Sequence, residues 1–138
     1  MKKKLNKILL VDDSESDNFY HARIIKKCNV AENIVIKLSA EEALEYLKTL
    51  DGEKYPAPEL LFLDINMPGM NGWEFLEAYA NLDNDQLCGI VVTMLTTSQN
   101  DDDRSRATSD RRINHFHNKP LTAEYLMQLM QEHFPENF

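Results

Sequence analysis

Apolar residues along the chain fall into short blocks separated by polar, turn-forming segments, and the blocks alternate between two periodicities. Residues 7–11 form a compact apolar run consistent with a buried strand, and residues 16–28 follow with Phe19, Ala22, Ile25 and Cys28 at helical spacing. Residues 34–38 alternate as a second strand would. Ser39 stands three residues before Glu42, the Ser-x-x-Glu form of a capping box, and opens a helix that carries Ala43, Leu44 and Leu47 inward. Asp51-Gly52 closes that helix, and Pro56 and Pro58 mark the loop beyond it.

The third apolar run, Leu60-Leu61-Phe62-Leu63, leads directly into Asp64 and is stopped by Pro68-Gly69. Asn71, with Glu74 three residues on, sets an N-cap for a helix beginning near Gly72 and running over residues 73–82. After a polar loop at residues 83–86, the apolar run 89–95 reads as a buried fourth strand. Residues 113–117 form a short fifth strand, and residues 122–134 a final helix with Leu126, Leu129 and Met130 on one face. Residues 101–112 fit least well: Ala107 is their only clearly apolar residue, so a fourth helix there gains little from packing and is expected to be weakly anchored.

A strand followed by a helix, five times over, predicts an α/β, doubly wound, five-stranded parallel sheet with right-handed crossovers and helices on both faces. At 138 residues and 16.0 kDa the chain is sized for a single domain over residues 1–138, with a core from about residue 6 to residue 134. The lysine-rich start resembles a secretory signal, but its apolar run ends at Asp12-Asp13, and no stretch approaches the roughly 18 apolar residues of a membrane span. A cytoplasmic protein without membrane insertion is expected. The net charge of −8 argues against direct nucleic-acid binding, which needs a basic surface. Cys28 and Cys88 lack the spacing of a zinc or redox motif and read as buried free thiols.

In a parallel sheet the carboxyl ends of all strands face one way, and ligands bind in the crevice outside them. Asp12-Asp13 ends the first strand, Asp64 the third and Thr96-Thr97-Ser98 the fourth, and Lys119-Pro120 follows the fifth. Each feature has an ordinary explanation on its own. Asp favours turns, Thr caps helices, and Lys-Pro is a common turn. Asp64, however, lies too far upstream of Asn71 to cap the next helix. Three carboxylates crowded together repel by roughly 1 to 4 kcal/mol per pair at surface dielectric, so they need a cation. Hard oxygen ligands with open positions suit Mg²⁺, and a nearby hydroxyl and ammonium suit a phosphoryl group.

With Ile8-Leu9-Leu10-Val11-Asp12-Asp13, Phe62-Leu63-Asp64-Ile65-Asn66-Met67-Pro68-Gly69-Met70-Asn71-Gly72, Leu95-Thr96 and Lys119-Pro120 in this order, the chain resembles the receiver domain of two-component response regulators over nearly its whole length. The resemblance implies a flavodoxin-like (βα)5 sheet in strand order 2-1-3-4-5. It implies that Asp64 accepts a phosphoryl group from a phosphohistidine on a sensor histidine kinase or a histidine phosphotransfer protein. It assigns Mg²⁺ to Asp13, Asp64 and the backbone carbonyl of Asn66, with Asp12 acting through a water. Lys119 and Thr96 would bind the phosphoryl group, and Phe116 would move into space that Thr96 vacates. Asn66 and Ser98, two residues after Asp64 and Thr96, would tune the lifetime of the phosphorylated state. A downstream effector would dock on the face made by the fourth helix, fifth strand and final helix.

His115 and His117 flank Phe116 at strand spacing, on the opposite face. A metal pair is one reading and solvent-facing edge residues the simpler one, so neither receives a role. Two alternatives to a working switch stay open. A pseudo-receiver would bind partners without phosphorylation, although such proteins lose acids or the Lys that this chain keeps. A Mg²⁺-dependent phosphatase of haloacid dehalogenase type would resemble Asp-x-Asp, where this chain has Asp64-Ile65-Asn66.

Overall fold

In the computed structural model, which describes residues 3–50, 52–82, 90–97 and 100–138, five strands alternate with helices. The strands are β1 (Leu5–Val11), β2 (Ala31–Lys37), β3 (Leu60–Leu63), β4 (Val91–Thr96) and β5 (His115–Asn118). The described helices are α1 (Glu15–Cys28), α2 (Ala40–Lys48), α3 (Gly72–Ala80), α4 (Asp101–Ser109) and α5 (Ala123–His133), followed by a 3-10 turn at Pro135–Asn137. All strand pairs are parallel, as the alternation of strands and helices predicts, and the order is β2-β1-β3-β4-β5, the flavodoxin-like α/β arrangement that the family resemblance implies. Asp51, the 83–86 loop, Cys88 and Ser98 lie outside the described residues, and Cys28, expected to be buried, is a free thiol only half-buried at the end of α1.

The sheet is buried on both faces because its inner strands are apolar at consecutive positions rather than alternate ones. Leu9 and Val11 of β1, Leu61 and Leu63 of β3, and Val92 and Met94 of β4 pack beneath α2, α3 and α4. Their neighbours Ile8, Leu10, Leu60, Phe62 and Leu95 face the other way, against Ala22 and Ile25 of α1 and Leu126, Leu129 and Met130 of α5. A slip of one residue in any inner strand would exchange these two cores, so the register is tightly specified.

Side-chain caps fix where the helices start. Ser39 accepts a hydrogen bond from the Glu42 N–H, as the motif predicts, but Glu42 reaches back to the N–H of Leu38 rather than to that of Ser39. Asn71 and Glu74 form a complete capping box at the head of α3. Differences from the sequence pattern are confined to element ends: β2 starts at Ala31, three residues early, and α2 ends at Lys48, before Asp51-Gly52. The last strand occupies His115–Asn118 rather than 113–117.

Weak anchoring of α4 is borne out only in part. Ala107 is its one buried residue, yet the helix is also held by polar and aromatic contacts. The indole N–H of Trp73 donates to Asp103 at 3.2 Å, the Arg106 guanidinium lies 4.4 Å from the centre of the Trp73 ring, and Arg104 lies 5.0 Å from that of Phe116. Cation–π contacts of this kind are each worth about 0.5–1 kcal/mol at exposed sites, which partly replaces a missing apolar face.

Candidate functional site

Strand register brings the chemistry-bearing residues to one edge of the sheet. Val11 pairs with Leu63, and Leu63 with Met94, so Asp12 and Asp64 emerge side by side from adjacent strands. The ladder continues past the strand ends, with the Asp64 N–H donating to the Val11 carbonyl at 3.0 Å and the Lys119 N–H to the Thr96 carbonyl at 2.8 Å. Carboxylate oxygens of Asp12, Asp13 and Asp64 all lie within 4.8 Å of one another. Asp12 and Asp64 are buried, whereas Asp13 is exposed.

Lys119 is the cation that the chain itself supplies. Its Nζ lies 2.6 Å from Asp12, 2.8 Å from Asp17 and 3.6 Å from Asp64. Burial works against the lysine charge, but the hydrogen bonds to Asp12 and Asp17 overcome it and raise the pKa above the ordinary lysine value. Asp64 goes the other way for a carboxylate. Burial, then the neighbouring Asp12 charge, push its pKa up to about 6 despite Lys119. The pocket therefore carries more negative charge than Lys119 neutralises, and its oxygen-only donor set fits a hard divalent ion such as Mg²⁺.

The response regulator receiver domain model matches residues 8–131. The chain belongs to this family. It is 31% identical over 91% of its length to a probable methanogenesis regulatory protein, FilR2, of Methanothrix harundinacea, covering 79% of that protein. To the response regulator Rcp1 of Synechocystis it is 30% identical, over 90% of this chain and 83% of that one. A two-component response regulator from Cytophaga hutchinsonii superposes with a TM-score of 0.85 at 29% identity, covering 96% of this chain and 99% of the other. The Mn²⁺-bound form of Rcp1 gives 0.71 at 29% identity, with 92% and 90% covered.

Other expected site residues of this receiver lie around the same edge. Thr96 is fully buried at the end of β4, and Asn66 is exposed on the loop leaving β3. Phe116 is half-buried beneath Arg104 and packs on the α4 side of the sheet. His115 and His117 point to the opposite face, as strand alternation requires, but they are not solvent-facing edge residues. The helix α5 covers them: His117 stacks on Tyr125 at 3.7 Å, and His115 lies 2.7 Å from His133.

Three contributors escape the sequence reading. Asp17 shares Lys119 with Asp12, and its signal is position: it stands three residues after the N-cap Ser14, in the first turn of the helix that leaves the acidic loop. Asn18 is buried and donates from Nδ2 to the Asp12 carbonyl at 2.8 Å, holding the loop in place. Gly72 is the third. A Cβ there would lie 2.5 Å from the Asp64 carbonyl oxygen and 3.0 Å from the Ile65 Cα, so the head of α3 can support the Asp64 loop only without a side chain.

Proposed function

We propose that this receiver is a phosphorylation-activated switch, in which Asp64 accepts a phosphoryl group from a phosphohistidine of a sensor histidine kinase or a phosphotransfer protein. The observation carrying this reading is the packing of Asp12, Asp13, Asp64 and Lys119 into one crevice at the carboxyl edge of the sheet. In the transfer, the bond from phosphorus to the donor imidazole nitrogen breaks and one to an Asp64 carboxylate oxygen forms, giving an acyl phosphate. Phosphoryl transfer of this kind needs positioning and electrostatic support more than further covalent help.

Asp13, Asp64 and the backbone carbonyl of Asn66 would hold Mg²⁺, and the ion would offset negative charge as the phosphoryl group enters. The Mn²⁺-bound form of Rcp1 supports a divalent site in a relative. Asp12 suits an indirect role, because one of its oxygens accepts from the Ser14 N–H at 2.9 Å and the other from Lys119 at 2.6 Å. Lys119, 3.6 Å from Asp64, is close enough to pair with an incoming phosphoryl oxygen. Thr96 would donate its hydroxyl hydrogen to the same group, and Phe116 would follow into the space left behind. Asn66 and Ser98 would set how freely water reaches the acyl phosphate.

Receivers are signalling domains rather than enzymes in the ordinary sense. Residues 1–138 form one such unit in this reading, acting in the cytoplasm and signalling to a protein effector through α4, β5 and α5 without contacting nucleic acid. No helix among the described residues is long and apolar enough to cross a membrane. The phosphatase alternative loses its support because Asn66 provides an amide where a second acid is needed. Incubation with acetyl phosphate and Mg²⁺, followed by intact-mass measurement, tests the reading. One phosphoryl group on the wild type and none on Asp64→Asn is expected, and an unmodified wild type would favour the pseudo-receiver.

A further inference from the structure

A second cluster of metal-ligating side chains lies on the far side of β5, away from the acidic crevice. His115 of β5 approaches His133, the last residue of α5, with 2.7 Å between the two Nε2 atoms, and the Glu132 carboxylate lies 3.4 Å from the same His115 nitrogen. One ligand atom from each of the three residues falls within 4.8 Å of the others. We propose that His115, Glu132 and His133 form a site for a divalent transition-metal ion of the Zn²⁺ class, which clamps β5 to the last turn of α5.

Donor chemistry separates this site from the crevice. Two imidazoles and one carboxylate suit Zn²⁺, Ni²⁺, Co²⁺ or Cu²⁺, whereas the oxygen-only set around Asp64 suits Mg²⁺. Tetrahedral Zn²⁺ at about 2.0–2.1 Å from each nitrogen would hold the two Nε2 atoms roughly 3.3 Å apart, so the rings must separate slightly and tilt until both nitrogen lone pairs point at the ion. Neighbouring aromatic rings flank the pair. The Tyr125 ring meets His115 edge-on at 6.5 Å, and Phe134 lies 6.4 Å from His133. Glu132 is 61% exposed, which leaves it free to adjust and keeps one side open for a water as fourth ligand. The site also sits at the carbonyl end of α5 in a chain of net charge −8, and both features favour a cation. His115 adjoins Phe116, so occupancy would stiffen the strand through which the switch is proposed to act. The site itself does not depend on Asp64 being phosphorylated.

The test is a Zn²⁺ titration of chelator-treated protein in excess Mg²⁺, followed by calorimetry and by the ring resonances of the histidines. One equivalent of Zn²⁺ is expected to shift His115 and His133 but not His21. Binding should persist in Asp64→Asn and weaken by about tenfold or more in His133→Asn. Glu132→Gln, at an exposed position that does not endanger folding, should weaken binding as well. Zn²⁺ affinity unchanged in both His133→Asn and Glu132→Gln would assign the ion to the acidic crevice and overturn the proposal. So would the absence of saturable binding, which would leave the two imidazoles as a simple hydrogen-bonded pair.

Discussion

Lys119 reaches Asp12, Asp17 and Asp64 from a single atom, so removing it strands two buried carboxylates and one half-exposed one. Breaking a buried pair by deleting one partner costs about 3–5 kcal/mol. Lys119→Met is therefore expected to lower metal-free stability at neutral pH by about 3 kcal/mol in denaturant titration, with Mg²⁺ recovering part of the loss. Asp64→Asn should act in the opposite direction. Its carboxyl titrates near 6 in the folded chain against 3.8 when unfolded, so the folded state binds the proton more tightly. Ionised Asp64 thus destabilises the metal-free fold above about pH 6, and that penalty fades as pH falls from 6 towards 4. Asp64→Asn is expected to be more stable than wild type at pH 7.5 by up to roughly 3 kcal/mol, with the gap closing near pH 4. A gap independent of pH would contradict this assignment of charge.

Helix α4 carries the element-scale argument. It is fastened by Ala107, by the Trp73–Asp103 hydrogen bond and by two arginine–aromatic contacts, so its position is coupled to the head of α3 and to Phe116 on β5. Trp73, the only tryptophan, is thereby a reporter for movement of α4. Its fluorescence should change on treatment with beryllofluoride and Mg²⁺, and Asp103→Ala should shift the resting spectrum towards the treated one. Identical spectra in all states would sever α4 from the acidic crevice. At the other end of this coupling, Gly72→Ala forces a methyl against the Asp64 carbonyl. A loss of about 1–3 kcal/mol in stability, with slower phosphorylation by acetyl phosphate, is expected. Sequence pattern underestimates α4 because its anchors are polar and aromatic groups contributed by distant segments.

At the scale of the whole molecule, the fold was legible where burial is complete. Apolar runs at 7–11 and 60–63 mark inner strands of a parallel sheet, and the caps Ser39 and Asn71 mark helix starts, whereas Thr122, expected inside the final helix, caps it. The edges were less legible. The half-polar sequence His115-Phe116-His117 carries a weak strand signal, and β2 begins with Ala31 and Glu32, which carry little. Acidic strand ends pointed to the crevice because parallel topology alone converges them. Pairing of Lys119 with Asp17 is hinted at only by the place of Asp17 in the first turn after Ser14, and pairing of His115 with His133 depends on helix placement that no local pattern encodes. The central claim, that separate strand ends meet so that one aspartate becomes an acyl phosphate, is tested most directly by trapping that species. Protein treated with acetyl phosphate and Mg²⁺, reduced with borohydride and mapped by tandem mass spectrometry, should show the aspartyl phosphate reduced to homoserine at position 64 alone. Reduction at Asp12 or Asp13 instead, or at no position, would contradict the account.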